Sequence, residues 1–109
     1  MADFPDMITQ LPQIVSPAEG VRGWLSQAGD HQIVFFELAG GMNIPPHHHA
    51  AQWGIIVEGQ MELTIDGDTK TYGPGDSYYI PAGAVHGAKF LTDLRVIDVF
   101  AQADRYQTQ

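Results

Sequence analysis

Apolar residues in this chain recur at every second position, in short runs separated by glycine and proline. Val21–Gln27 is the first such run and closes at Ala28-Gly29-Asp30. Residues 31–38 carry Ile33-Val34-Phe35-Phe36 and close at Gly40-Gly41. Residues 53–57 form an apolar stretch ending at Glu58-Gly59, and Met61, Leu63 and Ile65 then alternate with Glu62, Thr64 and Asp66. Strict alternation is the mark of a half-buried strand, because successive side chains on a strand point to opposite faces. Asp66-Gly67 reads as a tight hairpin turn into residues 69–72, and Gly73-Pro74-Gly75-Asp76 turns the chain again. Ser77–Ile80, His86–Phe90 and Leu94–Phe100 complete the set. No stretch sustains helical spacing, and breaks fall about every 8–12 residues, the spacing of a sandwich or barrel. The pattern predicts an all-β domain over residues 21–101. Before it lies an arm, residues 1–20, in which Pro5, Pro12 and Pro17 interrupt Phe4, Met7, Ile8, Leu11, Ile14 and Val15. The arm is expected to be extended, with a short helical turn or a strand at Ile14-Val15. Being apolar, it should pack on its own domain or on a second copy. Residues 102–109 read as a polar, frayed tail.

Composition narrows the partners. A chain of 109 residues buries one sizeable core without a disulfide or a structural metal. It has no cysteine, which excludes thiolate metal sites and a cysteine nucleophile. Its net charge of −8 argues against nucleic acid and anionic membrane, both of which attract basic faces. The first residues have neither a basic segment nor an apolar segment of the kind that directs secretion, so a cytoplasmic protein is expected.

The chemistry concentrates in histidine. Four of the five histidines lie in two short segments, Pro45-Pro46-His47-His48-His49 and Pro81-Ala82-Gly83-Ala84-Val85-His86. Neutral imidazole is the commonest metal ligand. On a strand His47 and His49 share a face and His48 points away. The two prolines cannot donate ladder hydrogen bonds, so the strand is expected to begin or bulge there. His86 is the candidate third ligand, since it lies in a comparably constrained context.

These segments resemble the two motifs of the cupin family. Gly41 is followed by five residues, then His47-His48-His49, then Gln52, then six residues to Gly59. Gly75 is followed by five residues, then Pro81-Ala82-Gly83, two residues and His86; Phe90 stands where the motif closes with Asn. The resemblance spans residues 21–100, with the short segment between motifs that is found in small single-domain members. It implies a cupin-type antiparallel β-barrel (a jelly roll, or double-stranded β-helix). It also implies one divalent metal held by His47, His49, His86 and the residue at the Gln52 position. Gln52 replaces the usual Glu and lies one residue closer to His49 than the family pattern sets it. A bulge at Ala50-Ala51 is then needed to turn Gln52 inward. Gln52 reads either as a neutral oxygen ligand or as an amide that steadies a water or a histidine ring.

An N/O site without thiolate suits Zn, Ni, Fe, Mn or Cu. Phe90, four residues after His86, is expected to wall the pocket, with Met61 as an apolar neighbour. His48 is expected on the surface and His31 in a turn. Glu58, Asp76 and Asp98 read as solvated acids, and Tyr78 or Tyr79 as weak acid–base candidates. Two functions follow. One is a metal-dependent enzyme on a small organic substrate, with dioxygenase, lyase and isomerase activities all implied by the resemblance. The other is a non-catalytic module or sensor that binds metal or a small ligand. A homodimer is expected, the arm crossing to a neighbour's sheet edge.

Overall fold

The computed structural model describes residues 3–109. A one-turn helix α1 (Asp6–Thr9) precedes nine strands: β1 (Val21–Gln27), β2 (Gln32–Leu38), β3 (Asn43–His47), β4 (Gln52–Glu58), β5 (Met61–Ile65), β6 (Asp68–Tyr72), β7 (Ser77–Ile80), β8 (His86–Phe90) and β9 (Leu94–Phe100). They form two antiparallel sheets, ordered β1-β2-β9-β4-β7 and β3-β8-β5-β6. The chain folds as the cupin-type barrel that its motifs imply.

Alternation decides what enters the barrel. Gln32, Val34, Phe36 and Leu38 of β2 are buried in register with Leu94, Val96, Asp98 and Phe100 of β9. Met61 and Leu63 of β5 and Phe90 of β8 face them from the other sheet. Each buried aliphatic or aromatic side chain contributes about 1.5–3 kcal/mol, so these rows are the main force that closes the two sheets. The outer face of the larger sheet carries an ion-paired row, Arg22–Glu37–Arg95–Glu58. Glu58, expected to be solvated, is tied there to Arg95.

The arm takes the first of its two expected places, and the tail departs from expectation. The arm lies on its own barrel: Ile14 is buried, Gln13 bridges Trp24, and the Phe4 ring packs edge-on against Trp24 and Phe35. Phe4 and Ile14 are thus used within the chain, whereas Met7 and Val15 stay exposed, and nothing supports an arm that crosses to a second copy. The tail is not frayed. Tyr106 packs edge-on against Phe36 and Phe100, Thr108 bridges Ile14, and the Gln109 N–H donates to the Gln13 carbonyl at 3.0 Å. Buried partners for the tail's backbone outweigh its polar composition.

Candidate metal centre

Three histidines converge at one end of the barrel. His47 ends β3 and stands directly opposite His86, the first residue of β8. The ladder slips between Ile44 and His47, where the prolines remove two donors. His49 is not on the strand as expected. It lies in the connection before β4, so alternation is not what turns its ring inward. The two segments are joined instead by the Gly83 N–H, which donates to the His49 carbonyl at 2.9 Å. Gly83 has φ +78°, a conformation glycine adopts without penalty, and this aims its N–H at His49.

The rings are fixed by their own backbone. The Nδ1 atoms lie 3.0 Å from the Pro45 carbonyl for His47, 2.7 Å from Ala50 for His49 and 2.9 Å from Ala84 for His86. A carbonyl only accepts, so each Nδ1 donates its proton and each neutral ring presents a bare Nε2. One ligand nitrogen from each ring lies within 4.8 Å of the other two, and the His49 and His86 Nε2 atoms are 3.2 Å apart. Two lone pairs at that distance repel unless a cation sits between them. Nitrogens bound at about 2.0–2.1 Å to one ion stand roughly 3 Å apart, so His49 and His86 have the spacing of ligands to a first-row divalent metal, and His47 lies close enough for the three to hold one. Burial pushes the His49 and His86 imidazoles below their ordinary pKa, and the nearby Arg105 cation and neighbouring rings add to this. Both rings thus favour the neutral form that a ligand needs. His48 is exposed.

The triad opens on a cavity of about 310 Å3, and Gln52, Met61 and Phe90 line it. The bulge expected at Ala50-Ala51 is instead a full break, and β4 begins at Gln52, in the inward row with Gly54 and Ile56. Gln52 lines the cavity together with Asp98.

Asp98 corrects the expectation of a solvated acid. It is 4% exposed, lines the cavity and accepts a hydrogen bond from the Tyr78 hydroxyl at 2.6 Å. Burial raises its pKa from 3.8 to about 6, against the opposing influence of the Tyr78 hydroxyl and the Gln52 amide. Burial and the Asp98 charge together push Tyr78 well above its ordinary value. Gly54 makes room for the pair, since any side chain there would overlap the Asp98 carboxylate and the Tyr78 hydroxyl. The signal was present in the sequence: Asp98 has the parity of Leu94, Val96 and Phe100, all apolar. Arg105, from the tail, also lines the cavity, and its Nε is buried with no hydrogen-bond partner in the protein. No pattern in the sequence marked it. Its neighbour Tyr106, an isolated aromatic in a polar tail, was the one available hint.

The centre is therefore built half on each sheet. The smaller sheet supplies His47 and His86, and the larger supplies Gln52, Tyr78 and Asp98.

The comparisons agree with this architecture. The chain is 29% identical over 99 residues to the H2HPP isomerase of Bacillus subtilis, covering 89% of this chain but only 42% of that protein. It thus spans less than half of that relative's length. Among solved structures, KdgF from Halomonas sp. superposes with a TM-score of 0.75 at 28% identity, covering 84% of this chain and 86% of that one. An RmlC-like cupin from Shewanella frigidimarina superposes at 0.79 with 26% identity, covering 88% of each. The cupin domain family model matches residues 34–100, and with both motifs and the barrel in place the chain belongs to the cupin family.

Proposed function

We propose that this cupin is a metal-dependent enzyme that moves a proton on a small carbonyl compound bearing a carboxylate. One observation carries the reading: a buried acid, Asp98, and a buried, unpartnered guanidinium nitrogen, Arg105 Nε, face the cavity that holds three bare imidazole nitrogens. His47, His49 and His86 are the metal ligands in this reading. Gln52 is not a ligand in this reading: its amide steadies Asp98, a partner other than the water or histidine ring expected of it. A divalent ion (Zn, Ni, Fe, Mn or Cu) supplies Lewis acidity when bound, polarising a carbonyl oxygen and acidifying the adjacent C–H.

The chain's own residues do the rest. Arg105 pairs with the substrate carboxylate and fixes its orientation. Asp98, ionised, accepts the proton from the carbon beside the carbonyl and returns it to another atom of the same conjugated system. The net result is an isomerisation, with no atom gained or lost. Tyr78 donates to Asp98 throughout and keeps the carboxylate aimed at the cavity. Phe90 and Met61 keep the chamber apolar and exclude water. The name of the Bacillus relative, an isomerase, supports this class of reaction over oxygenation.

The test is exchange of the C3 protons of pyruvate and 2-oxobutyrate in deuterated water, followed by proton NMR with Zn-, Ni- or Mn-loaded protein. Exchange above the free-metal background is expected, and Asp98→Asn should lower it by about 100-fold or more, the usual worth of a positioned base. Binding of these acids without exchange would move the protein to the non-catalytic module. No binding of either acid would remove the carboxylate reading altogether.

A further inference from the structure

Two glutamines have no part in the chemistry above. Gln32 stands in the inward row of β2 among Val34, Phe36 and Leu38 and is 1% exposed. An amide there is costly if unpaired, and an aliphatic side chain would suit its surroundings. It is not unpaired. Its Nε2 donates to the Tyr106 carbonyl at 2.9 Å, and its Oε1 accepts from the Tyr106 N–H at 3.0 Å. The side chain thus reads both backbone groups of one tail residue, as a strand would. Gln32 Nε2 also donates to Oε1 of Gln27, its cross-strand partner, at 2.8 Å. Gln27 Nε2 in turn donates to the Ala103 carbonyl at 3.0 Å. The pair therefore grips the tail at Ala103 and at Tyr106, on either side of Arg105. The Arg105 guanidinium lies over the Tyr106 ring, 4.8 Å from its centre.

The geometry points to Gln32 and Gln27 as positioning residues that hold Arg105 over the cavity, so that carboxylate recognition depends on an amide clamp at the base of the β1–β2 hairpin. The inference rests on the reading of Arg105 as the carboxylate-binding residue. The clamp substitutes for strand pairing at a place where the tail has no neighbouring strand to fix it. Burial of Gln32 makes the position rigid, and rigidity is what spares a charged side chain the entropy of being ordered on binding.

Two measurements test it. The first is trypsin cleavage after Arg105 in the unloaded protein, with cleavage after Arg95 in β9 as the internal reference. Gln32→Met keeps the volume and removes the bonds, and it should speed cleavage after Arg105 by about tenfold, the equivalent of one or two lost hydrogen bonds. Gln27→Ala, on the hairpin side, removes the Ala103 contact and should act in the same direction more weakly; it serves if Gln32→Met fails to fold. Rates within twofold of the parent for both variants would overturn the clamp. The second measurement is calorimetric binding of pyruvate to the zinc-loaded protein. Gln32→Met should weaken it by about tenfold with zinc stoichiometry unchanged, and a Gln32→Met/Arg105→Ala double variant should bind no worse than Arg105→Ala alone. Additive losses would overturn the positioning role. If Arg105→Ala binds pyruvate as well as the parent while cleavage still accelerates, the clamp stands and the carboxylate reading falls.

Discussion

The Nε2 atoms of His49 and His86 face each other at 3.2 Å, each belonging to a ring whose Nδ1 is committed to a backbone carbonyl. Neither ring can rotate its proton into the gap without abandoning that carbonyl. The pair is held as two acceptors with a cation's place between them. Protein purified without chelator is expected to carry near one equivalent of a divalent metal per chain, measured by elemental analysis. His49→Ala should lower metal affinity by more than the roughly 10–100-fold that loss of an outer-shell partner costs. His48→Ala, on the exposed ring between, should leave it unchanged. Equal loss in both variants would contradict the geometry of the triad.

Metal should also stabilise the fold, because the three rings converge only in the folded chain. At a free concentration of 100 times Kd the gain is about 2.7 kcal/mol. Thermal unfolding with and without zinc measures it, and His86→Ala should abolish the difference.

Asp98 gives a pH signature in the metal-free protein. Its folded pKa, about 6, lies above the ordinary value of 3.8, so the folded state holds this proton more tightly than the unfolded one. Its contribution is therefore most favourable below pH 3.8 and is lost as the pH rises to about 6. The loss is at most about 3 kcal/mol, at 1.36 kcal/mol per unit. Asp98→Asn keeps an acceptor for Tyr78 and has no charge to bury. It should melt higher than the parent at pH 7, with the advantage shrinking toward pH 4. A parent and variant with parallel melting curves across that range would refute the buried charge.

Gly54 is the residue on which the Asp98–Tyr78 pair rests. Gly54→Ala should force the pair apart and destabilise the protein by about 1–3 kcal/mol, the usual cost of overpacking. It should also lower proton exchange on 2-oxo acids while leaving metal content intact, since the triad sits on other residues. Denaturant melts and the NMR exchange assay together separate the two effects.

The arm makes a fifth case. Phe4 packs edge-on against both Trp24 and Phe35, so Phe4→Ala should cost about 1–3 kcal/mol and shift tryptophan emission to the red as Trp24 gains solvent. Emission unchanged from the parent would place the arm elsewhere.

What could be read from the sequence follows from how local its physical cause is. Strand positions were legible because a two-residue period and the glycine breaks act within a few residues. The triad was legible because Pro45-Pro46 and Pro81-Ala82-Gly83 constrain their own histidines. Asp98 was legible in principle and missed, since its type suggested solvent while its parity with Val96 and Phe100 placed it inside. Gln32 has the same parity with Val34 and Phe36. Where type and parity conflict within a strand, parity prevailed at both positions, and both polar groups found buried partners. Arg105 was not legible at all. Its place depends on contacts from Gln27 and Gln32, more than 70 residues earlier in the chain, and no local pattern encodes a contact of that span.

The division of the centre between the two sheets has a mechanical consequence. Two of the three imidazoles, His47 and His86, ride on one sheet and the acid on the other, so an ion and an anion lodged together would rivet the two layers. Any breathing of the sandwich that parts the layers also dismantles the centre. Occupancy should therefore slow amide exchange most in β8 and β9, the two strands that would have to separate, and a loosened core would cost this protein its chemistry before it cost its shape.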